Sequence, residues 1–371
     1  MKLHKLIDRK EIIKAANLGK LHLEFTADLL MKAFKLDKIN TLYQSAYSLE
    51  GLPFLETVLK KLNIKYELSE LDLKNIPSSG AFVVVANHPF GLLDGILMIR
   101  ILGELRTDFK VMANFLLTKI EPIKDFFLPV DPFQSGKGLS LAGIKATLRH
   151  LEEGHPVGIF PAGEVATYQK GFKRFADKEW QLGVIKMIQK ANVPVIPMFF
   201  QGKNSTMFHL LGKIHPILRT AKIPSELFHK KDCTIRIRIG FPVSPDEVLK
   251  MESPEKLSRY LRARVEALGA GLPQESKFYK PNLRALRKPE KIVKPIPPLL
   301  VEEELEKLRK QQKLIHTKKN FEIFLVKSED IPNIMHEIGR LREITFRQVG
   351  EGSNRKIDLD EFDIYYYHLF V

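Results

Sequence analysis

A histidine and an aspartate follow an apolar run in the segment VVVANHPFGLLDG, residues 83–95. The run predicts a strand; His88 comes just after it, and Asp94 lies in the turn or the first turn of the helix that follows. Asp94 is then near enough to accept a hydrogen bond from one imidazole nitrogen, which leaves the other nitrogen of His88 as a base. The same residues also suit a turn-capping histidine and a carboxylate that stabilises a helix N-terminus.

Three later segments also end an apolar run in polar residues: LPVDPF at 128–133, GIFPAGEVA at 158–166 and NVPVIPMFFQGKNS at 192–205. In an α/β sheet, ligands usually bind at the edge where the strands end. Together with the segment at His88, four predicted strands end in polar residues, which predicts a cleft at this edge. The residues that we expect to contact substrate there are Asn87, Gly91, Asp131, Lys137, Phe160, Pro161, Gly163, Glu164, Pro194 and Pro197.

Strand-like and helical stretches alternate between about residues 65 and 245. This alternation predicts an α/β fold, a mixed β-sheet flanked by helices with the site at the strand ends. Residues 1–62 are predicted to form a helical N-terminal region, and residues 63–270 the α/β domain. The run TIRIRIG alternates isoleucine with arginine, a pattern typical of a half-exposed, peripheral strand.

A change in composition follows the α/β domain. Residues 271–315 are rich in proline, lysine and arginine, which predicts a semi-rigid linker because proline lacks a backbone donor and favours extended chain. Residues 316–371 begin a new pattern of strand, helix, polar loop and strand. About fifty residues do not easily close a second α/β domain, so we expect this C-terminal unit to be incomplete in the chain.

The charge balance favours an anionic partner. The 371 residues include 59 Lys and Arg against 44 Asp and Glu, a formal net charge of +15. This surplus suits nucleic acid, an anionic membrane or a phosphate-bearing substrate, and equally a solvated basic surface. Aromatic residues amount to 9% and do not interleave with lysine, which disfavours single-stranded nucleic acid. No residue pattern indicates a metal site.

Membrane contact is predicted to be peripheral. No apolar run approaches the ~18 residues of a spanning helix, and charges interrupt every stretch that would form the core of a signal peptide. The predicted N-terminal helix is basic and amphipathic, so it can lie on an anionic bilayer or pack on its own domain. Cys233 is the single cysteine and excludes an internal disulfide.

The segments NHPFGLLDG, FPAGEV and VPVIP resemble, in order and spacing, the successive blocks of the glycerolipid acyltransferases, the family of lysophosphatidate and glycerol-phosphate acyltransferases. The resemblance covers about residues 65–245. It implies that His88 takes the proton from an acceptor hydroxyl, which attacks the thioester of acyl-CoA or acyl-carrier protein. It also implies that Asp94 orients His88 and that no cofactor is tightly bound.

Three departures from the family pattern are informative. Five residues separate the histidine from the aspartate instead of four, and the carboxylate of the third block, Glu164, comes two positions late. The second block, LPVDPFQSGKG, has Lys137 but no arginine, so it lacks the planar fork that grips phosphate. These variants resemble the hemolysin-like bacterial branch, which includes O-acyltransferases of ornithine and glycine lipids.

The tail EIGRLREITFRQVGEGSNRKIDLDEFDIYYYHLF resembles the opening of GNAT-fold N-acyltransferases that attach a 3-hydroxyacyl chain to an amino acid. Residues 316–371 are therefore predicted to be a partial unit of this kind; a docking or dimerisation appendage is the alternative. A hydrolase is the weaker interpretation of His88, because the chain has no G-x-S-x-G elbow and Cys233 lies in a strand-like run.

We therefore predict an O-acyltransferase that esterifies the hydroxyl of a lyso-lipid, with a lyso-aminolipid of the ornithine or glycine type as acceptor. Its expected partners are an anionic membrane surface, the lyso-lipid and a CoA or carrier-protein thioester, and its expected location is peripheral on the cytoplasmic face of the inner membrane. Two alternatives remain open: a lysophosphatidate acyltransferase and a non-catalytic basic protein that binds membranes.

Overall fold

The computed structural model describes residue 6 and residues 35–130, 141–169, 174–214, 216–272, 289–348, 352–360 and 362–371. The chain divides into two compact units, Met1–Pro273 and Gln274–Val371. No helix in the described ranges is both long enough and apolar enough to span a membrane.

A seven-stranded mixed sheet forms the centre of the first unit. Its strands are β1 Lys65–Glu67, β2 Val83–Ala86, β3 Lys110–Asn114, β4 Phe127–Val130, β5 Val157–Ile159, β8 Val195–Phe200 and β9 Thr234–Ile239, while β6 Thr167–Gln169 and β7 Arg174–Ala176 pair separately. The spatial order is β1-β9-β8-β2-β5-β3-β4. Strands β8, β2, β5, β3 and β4 are parallel, whereas β9 is antiparallel to β8 and parallel to β1. This arrangement confirms the predicted α/β fold with a mixed sheet.

Helices cover the sheet. They are α1 Leu36–Gln44, α2 Leu52–Lys61, α3 Glu70–Leu73, α4 Leu92–Leu105, α5 Leu141–Glu152, α6 Leu182–Ala191, α7 Thr206–Ile214, α8 Pro216–Glu226, α9 Pro245–Leu249 and α10 Pro254–Ala267. Short 3₁₀ helices occupy Phe115–Lys119, Glu121–Phe126 and Leu227–Lys230. Of the predicted helical N-terminal region, α1 and α2 lie within the described residues, and residues 7–34 lie outside them.

The central strand β2 contributes side chains to two hydrophobic cores, one on each face of the sheet. All four of its residues are fully buried, as expected of a parallel strand covered on both faces. Successive side chains point to opposite faces, so Val84 packs in the core that includes α2 and α4. Val83 and Val85 pack in the other core, with α6 and α10.

Strand β9 buries Ile235, Ile237 and Ile239, as its alternating sequence predicts. It is not the outermost strand, because β1 pairs with it on the far side. The arginines between the isoleucines are paired: Arg236 with Glu67 and Arg238 with Asp72, each at 2.8 Å.

The second unit contains α11 Pro298–Lys310, β10 Leu314–Lys318, β11 Phe321–Lys327, α12 Pro332–Gln348 and β12 Tyr367–Phe370, with a three-stranded antiparallel sheet. Helix α11 lies where the sequence predicts a linker, and this prediction is wrong for residues 298–310. Proline is well tolerated in the first helical turn, and Leu308 is fully buried in the small core of this unit.

An ion-pair cluster ties three loops of the first unit at the edge of the sheet where β3 and β5 begin. Arg106 donates to both carboxylate oxygens of Asp108, at 2.9 and 2.7 Å, and to the carbonyl of Gly80 at 2.8 Å. Nδ1 of His155 lies 2.8 Å from the same carboxylate. The hydrogen bonds from Arg106, more than any other contact, lower the pKa of Asp108 from 3.8 to about 2.

We expect the first unit to lose stability in acid through Asp108. Because the folded-state pKa lies below the ordinary value, the ionised carboxylate stabilises the fold above about pH 4, and this contribution disappears as the pH falls towards 2. The loss should be roughly 2 kcal/mol. In Asp108→Asn the protein should be less stable at neutral pH and should lack this part of the acid dependence, as measured by urea unfolding at several pH values. The exposed Asp125→Asn is the control, and equal acid dependence in wild type and Asp108→Asn would contradict the assignment.

Candidate active site

The turn that carries His88 connects β2 to α4, at the edge where the five parallel strands end. Gly91 caps α4 with φ +89°, a left-handed conformation that favours glycine. A Cβ at this position would lie 3.0 Å from methyl groups of Val165 and Ile223. Both the backbone angle and the close packing therefore require glycine here. Gly91 shapes the turn, and no contact to a ligand needs to be invoked for it.

Asp94 is the third residue of α4, and its side chain is fully buried. Its Oδ2 accepts hydrogen bonds from the backbone N–H groups of Phe90 and Gly91, both at 2.9 Å. The same oxygen lies 2.9 Å from Nδ1 of His88. Nδ1 is not aligned for a hydrogen bond, and Oδ1 has no hydrogen-bond partner among the described residues. Such contacts commonly tighten only when substrate is bound.

The backbone and the ring of His88 are both held in place. Its N–H donates to Oδ1 of Asp177 at 3.0 Å, and its carbonyl accepts from the N–H of Ala166 at 2.8 Å. The imidazole stacks on Phe160, with 4.2 Å between ring centroids and 26° between the planes. The side chain keeps 17% of its surface exposed. The imidazole is thus fixed between Asp94 and Phe160 and remains accessible.

Asp177 is a site residue that the sequence did not reveal. It is almost fully buried, and Nε1 of Trp180 donates to its Oδ2 at 3.3 Å. Burial raises the pKa of this carboxyl to about 6, although its contacts with His88 oppose the shift. The only local signal was an aspartate three residues before the single tryptophan, which by itself does not indicate a support for a residue 89 positions away.

Asn87 joins the ends of two neighbouring strands. Its Nδ2 donates to the carbonyl of Phe200 at 2.9 Å, and its Oδ1 accepts from the N–H of Phe200 at 2.8 Å. This buried pair ties the end of β2 to the end of β8. The predicted contact of Asn87 with substrate therefore competes with two buried hydrogen bonds that shape the cleft.

Phe160, Pro161 and Gly163 form the turn after β5. The carbonyl of Phe160 accepts from the N–H of Gly163 at 2.9 Å, and the carbonyl of Pro161 accepts from the N–H of Gln181 at 2.9 Å. Gly163 has φ +69°, and a Cβ there would meet Nε2 of Gln181 at 1.9 Å. Through Phe160, this turn packs against one face of the His88 imidazole.

Glu164 is paired with two cations. Nη2 of Arg219 lies 2.6 Å from its Oε2, and Nζ of Lys178 lies 2.8 Å from its Oε1. Burial by itself would raise the pKa of Glu164, but the hydrogen bonds from Lys178 and Arg219 outweigh it and lower the pKa. Arg219 belongs to α8, which no sequence motif connects with the site.

Four of the predicted contact residues are not brought to this place by the described structure. Pro194 precedes β8 at the opposite edge of the sheet, where its carbonyl accepts from the N–H of Val83 at 2.9 Å. Pro197 is buried inside β8 beside Val85. Pro194 was misassigned because a proline at a strand boundary does not indicate which end of the strand faces the site, and Pro197 was misassigned because it lies within the strand itself. Asp131 and Lys137 lie outside the described residues.

An apolar cavity of about 280 Å³ adjoins the start of α4. Its wall consists of side chains from α1, α2, α4, α8 and the 3₁₀ helices, among them Leu42, Leu92, Ile96, Leu116 and Pro224. Among the residues that the structure describes, Lys119 is the one charged residue that lines it. The cavity is larger than one that holds a benzene molecule, about 150 Å³, and it suits an aliphatic chain.

Within the described ranges, no group of three His, Cys, Asp or Glu side chains is arranged to hold a metal ion. His88 and Asp94 form an arrangement that can support general-base chemistry: an imidazole whose one nitrogen faces a buried carboxylate.

Comparison with known proteins finds similarity to several acyltransferases. A lyso-glycine lipid O-acyltransferase of Bacteroides thetaiotaomicron is 28% identical over 268 residues, which cover 69% of this chain and 95% of that protein. A 1-acyl-sn-glycerol-3-phosphate acyltransferase of Bacillus subtilis is 26% identical over 207 residues, 54% of this chain and 86% of that protein. A glycine N(alpha)-acyltransferase of Bacteroides thetaiotaomicron is 40% identical over 74 residues, 20% of this chain and 21% of that protein.

The family model described as acyltransferase matches residues 9–272, which include the whole seven-stranded sheet and the turn with His88 and Asp94. With this match over most of its length, the chain belongs to the acyltransferase family.

Proposed function

We propose that this enzyme transfers a fatty acyl chain from a thioester donor to the hydroxyl of an N-acylated glycine lipid. The observation that carries the proposal is the 2.9 Å contact between the buried carboxylate of Asp94 and Nδ1 of His88. It supplies an oriented base and needs no covalent nucleophile.

The proposed reaction has one base and two proton transfers. Asp94 keeps the proton of His88 on Nδ1, so the lone pair of Nε2 is free to accept the proton of the acceptor hydroxyl. The hydroxyl oxygen attacks the thioester carbonyl and forms a tetrahedral intermediate. When the intermediate collapses, the C–S bond breaks, the ester remains on the acceptor, and His88 returns the proton to the thiolate.

The position of the acceptor hydroxyl follows from the structure of an N-acylated glycine. A glycine that is acylated on nitrogen has no hydroxyl of its own, so the hydroxyl that an O-acyltransferase esterifies must be on its acyl chain. The name of the Bacteroides relative of the first unit, a lyso-glycine lipid O-acyltransferase, supports this acceptor. We infer that the 74-residue match to a glycine N-acyltransferase lies in the second unit, whose sequence resembles such enzymes. Linking the two kinds of unit in one chain raises the local concentration of a shared intermediate.

Two further features suit the substrates. The donor, acyl-CoA or acyl-carrier protein, brings anionic groups. A cation lies close to the site that they approach, because Nζ of Lys230 is 4.8 Å from the centre of the Phe90 ring, two residues after His88. The apolar cavity begins at Leu92, next to Gly91, and we assign it to an acyl chain. Transfer of an aliphatic chain from water to this apolar wall is favourable, because apolar surface is removed from water.

Substitution of the base should stop the reaction. His88→Ala should lower kcat/KM roughly 10³-fold or more, and Asp94→Asn roughly 10² to 10⁴-fold through the wrong tautomer. The measurement is transfer of labelled acyl chain from acyl-CoA to lyso-lipid, with thermal unfolding to confirm the fold. His316→Ala, an exposed histidine of the second unit, is the matched control. Full activity in folded His88→Ala protein rules out this mechanism.

A competition assay tests the acceptor. Purified protein receives one labelled acyl donor and equal amounts of N-(3-hydroxyacyl)glycine, lysophosphatidate and glycerol 3-phosphate. We expect label in the glycine lipid first. The name of the Bacillus relative, a 1-acyl-sn-glycerol-3-phosphate acyltransferase, makes lysophosphatidate the second candidate acceptor. Label that enters phosphatidate first would favour this acceptor and would leave the role of His88 unchanged.

The lipid acceptor requires contact with a membrane, and we propose peripheral, electrostatically assisted binding. The net charge of +15 and the exposed apolar side chains of α7, Met207 at 56% and Leu210 at 52%, support it. Binding to vesicles that contain anionic lipid should weaken as salt rises from about 0.05 to 0.5 M, because salt screens surface charge. Equal sedimentation with neutral vesicles at every salt concentration would contradict the electrostatic part.

A further inference from the structure

Arg219 and Lys178 converge on Glu164 from different parts of the first unit. Arg219 comes from α8, Lys178 follows β7, and Glu164 belongs to the turn after β5. The Arg219 side chain is 14% exposed, that of Glu164 32% and that of Lys178 51%. Two cations share one carboxylate, so the group carries a net charge of +1 that is partly shielded from water.

This group lies beside the catalytic turn. Val165, next to Glu164, and Ile223, one helical turn after Arg219, both border Gly91. Ala166 donates its N–H to the carbonyl of His88 at 2.8 Å. Glu164 is two residues before Ala166, and two residues span at most about 7 Å of chain.

The acceptor has matching dimensions. In N-(3-hydroxyacyl)glycine six bonds separate the hydroxyl oxygen from the carboxylate carbon. Two residues of protein backbone contain the same number of bonds and reach at most about 7 Å. With its hydroxyl at His88, the acceptor therefore has a reach comparable with that of the chain from Ala166, which donates to the His88 carbonyl, to Glu164.

The charges and donors also match a carboxylate. A guanidinium presents five N–H groups in a rigid fork, and in the described part of the chain the Arg219 guanidinium donates to Glu164 through Nη2. A second carboxylate would balance the net charge of +1. A phosphate monoester, with about −1.5 to −2 charges near neutral pH, would leave an excess of negative charge.

We propose that Arg219, positioned by Glu164 and assisted by Lys178, binds the headgroup carboxylate of the acceptor, an inference that rests on the proposed function. Glu164 itself then contacts the two cations and not the substrate. The second block has no arginine, and in this proposal Arg219 of α8 supplies the guanidinium instead. Because its group carries a net charge of +1, it favours a singly charged carboxylate over a phosphate.

The test compares an acid with its neutral ester. N-(3-hydroxyacyl)glycine and its methyl ester are offered separately in micelles of a neutral detergent, with acyl-CoA as donor, to wild type, Arg219→Met, Lys178→Gln and the control Lys190→Gln. Lys190 is an exposed residue at the end of α6. Wild type should prefer the acid, and Arg219→Met should lower kcat/KM for the acid roughly 10- to 100-fold, chiefly through KM, with the ester little affected.

The outcomes separate the two proposals. If Arg219→Met lowers activity equally on acid and ester, the arginine is structural and the inference fails, while the proposed function stands. If wild type esterifies neither glycine lipid but accepts lysophosphatidate, the proposed function fails and the inference fails with it. Should Arg219→Met not fold, the exposed Lys178→Gln decides: an acid-selective rise in KM supports the proposal, and an equal effect on both acceptors overturns it.

Discussion

The buried carboxylate of Asp94 is the constraint on which the rest of the site depends. A charge with no exposed surface is costly unless hydrogen bonds compensate for lost water. Here the start of α4 supplies two backbone N–H groups, and the helix N-terminus favours negative charge. The backbone at Gly91 is left-handed, and in this turn the N–H groups of Phe90 and Gly91 both reach one oxygen. The geometry that stabilises the carboxylate therefore also places it against His88.

The surroundings of His88 keep this arrangement rigid. Asp177 and Ala166 hold its backbone, Phe160 supports its ring, and Asn87 locks the preceding position to β8. These contacts come from three different segments of the chain, namely the turn after β5, the stretch after β7 and the end of β8, so several parts of the sheet edge position the imidazole. If His88 is the base that we propose, an imidazole fixed in this way loses little entropy when the substrate is bound.

The features of the site that depend on neighbouring residues could be predicted from the sequence. The buried strand β2, the turn at His88 and the helical position of Asp94 all follow from a few adjacent residues. Arg219 and Asp177 could not be predicted in this way, because their partners lie 55 and 89 positions away and no pattern links them. Prolines were misinterpreted in two ways: Pro194 and Pro197 were assigned to the site although Pro194 lies at the far edge and Pro197 inside β8, and Pro298 begins helix α11 where an extended linker was predicted.

The tautomer of His88 is the most direct measurement of the central claim. Nitrogen-15 labelling of the 11 histidines and two-bond nitrogen–proton correlation spectra, with His88→Gln to assign the signal, distinguish the two neutral forms. We expect the proton on Nδ1, facing Asp94, and a bare Nε2 available to the acceptor hydroxyl. A neutral His88 with its proton on Nε2 would contradict the role of Asp94 and the general-base mechanism with it.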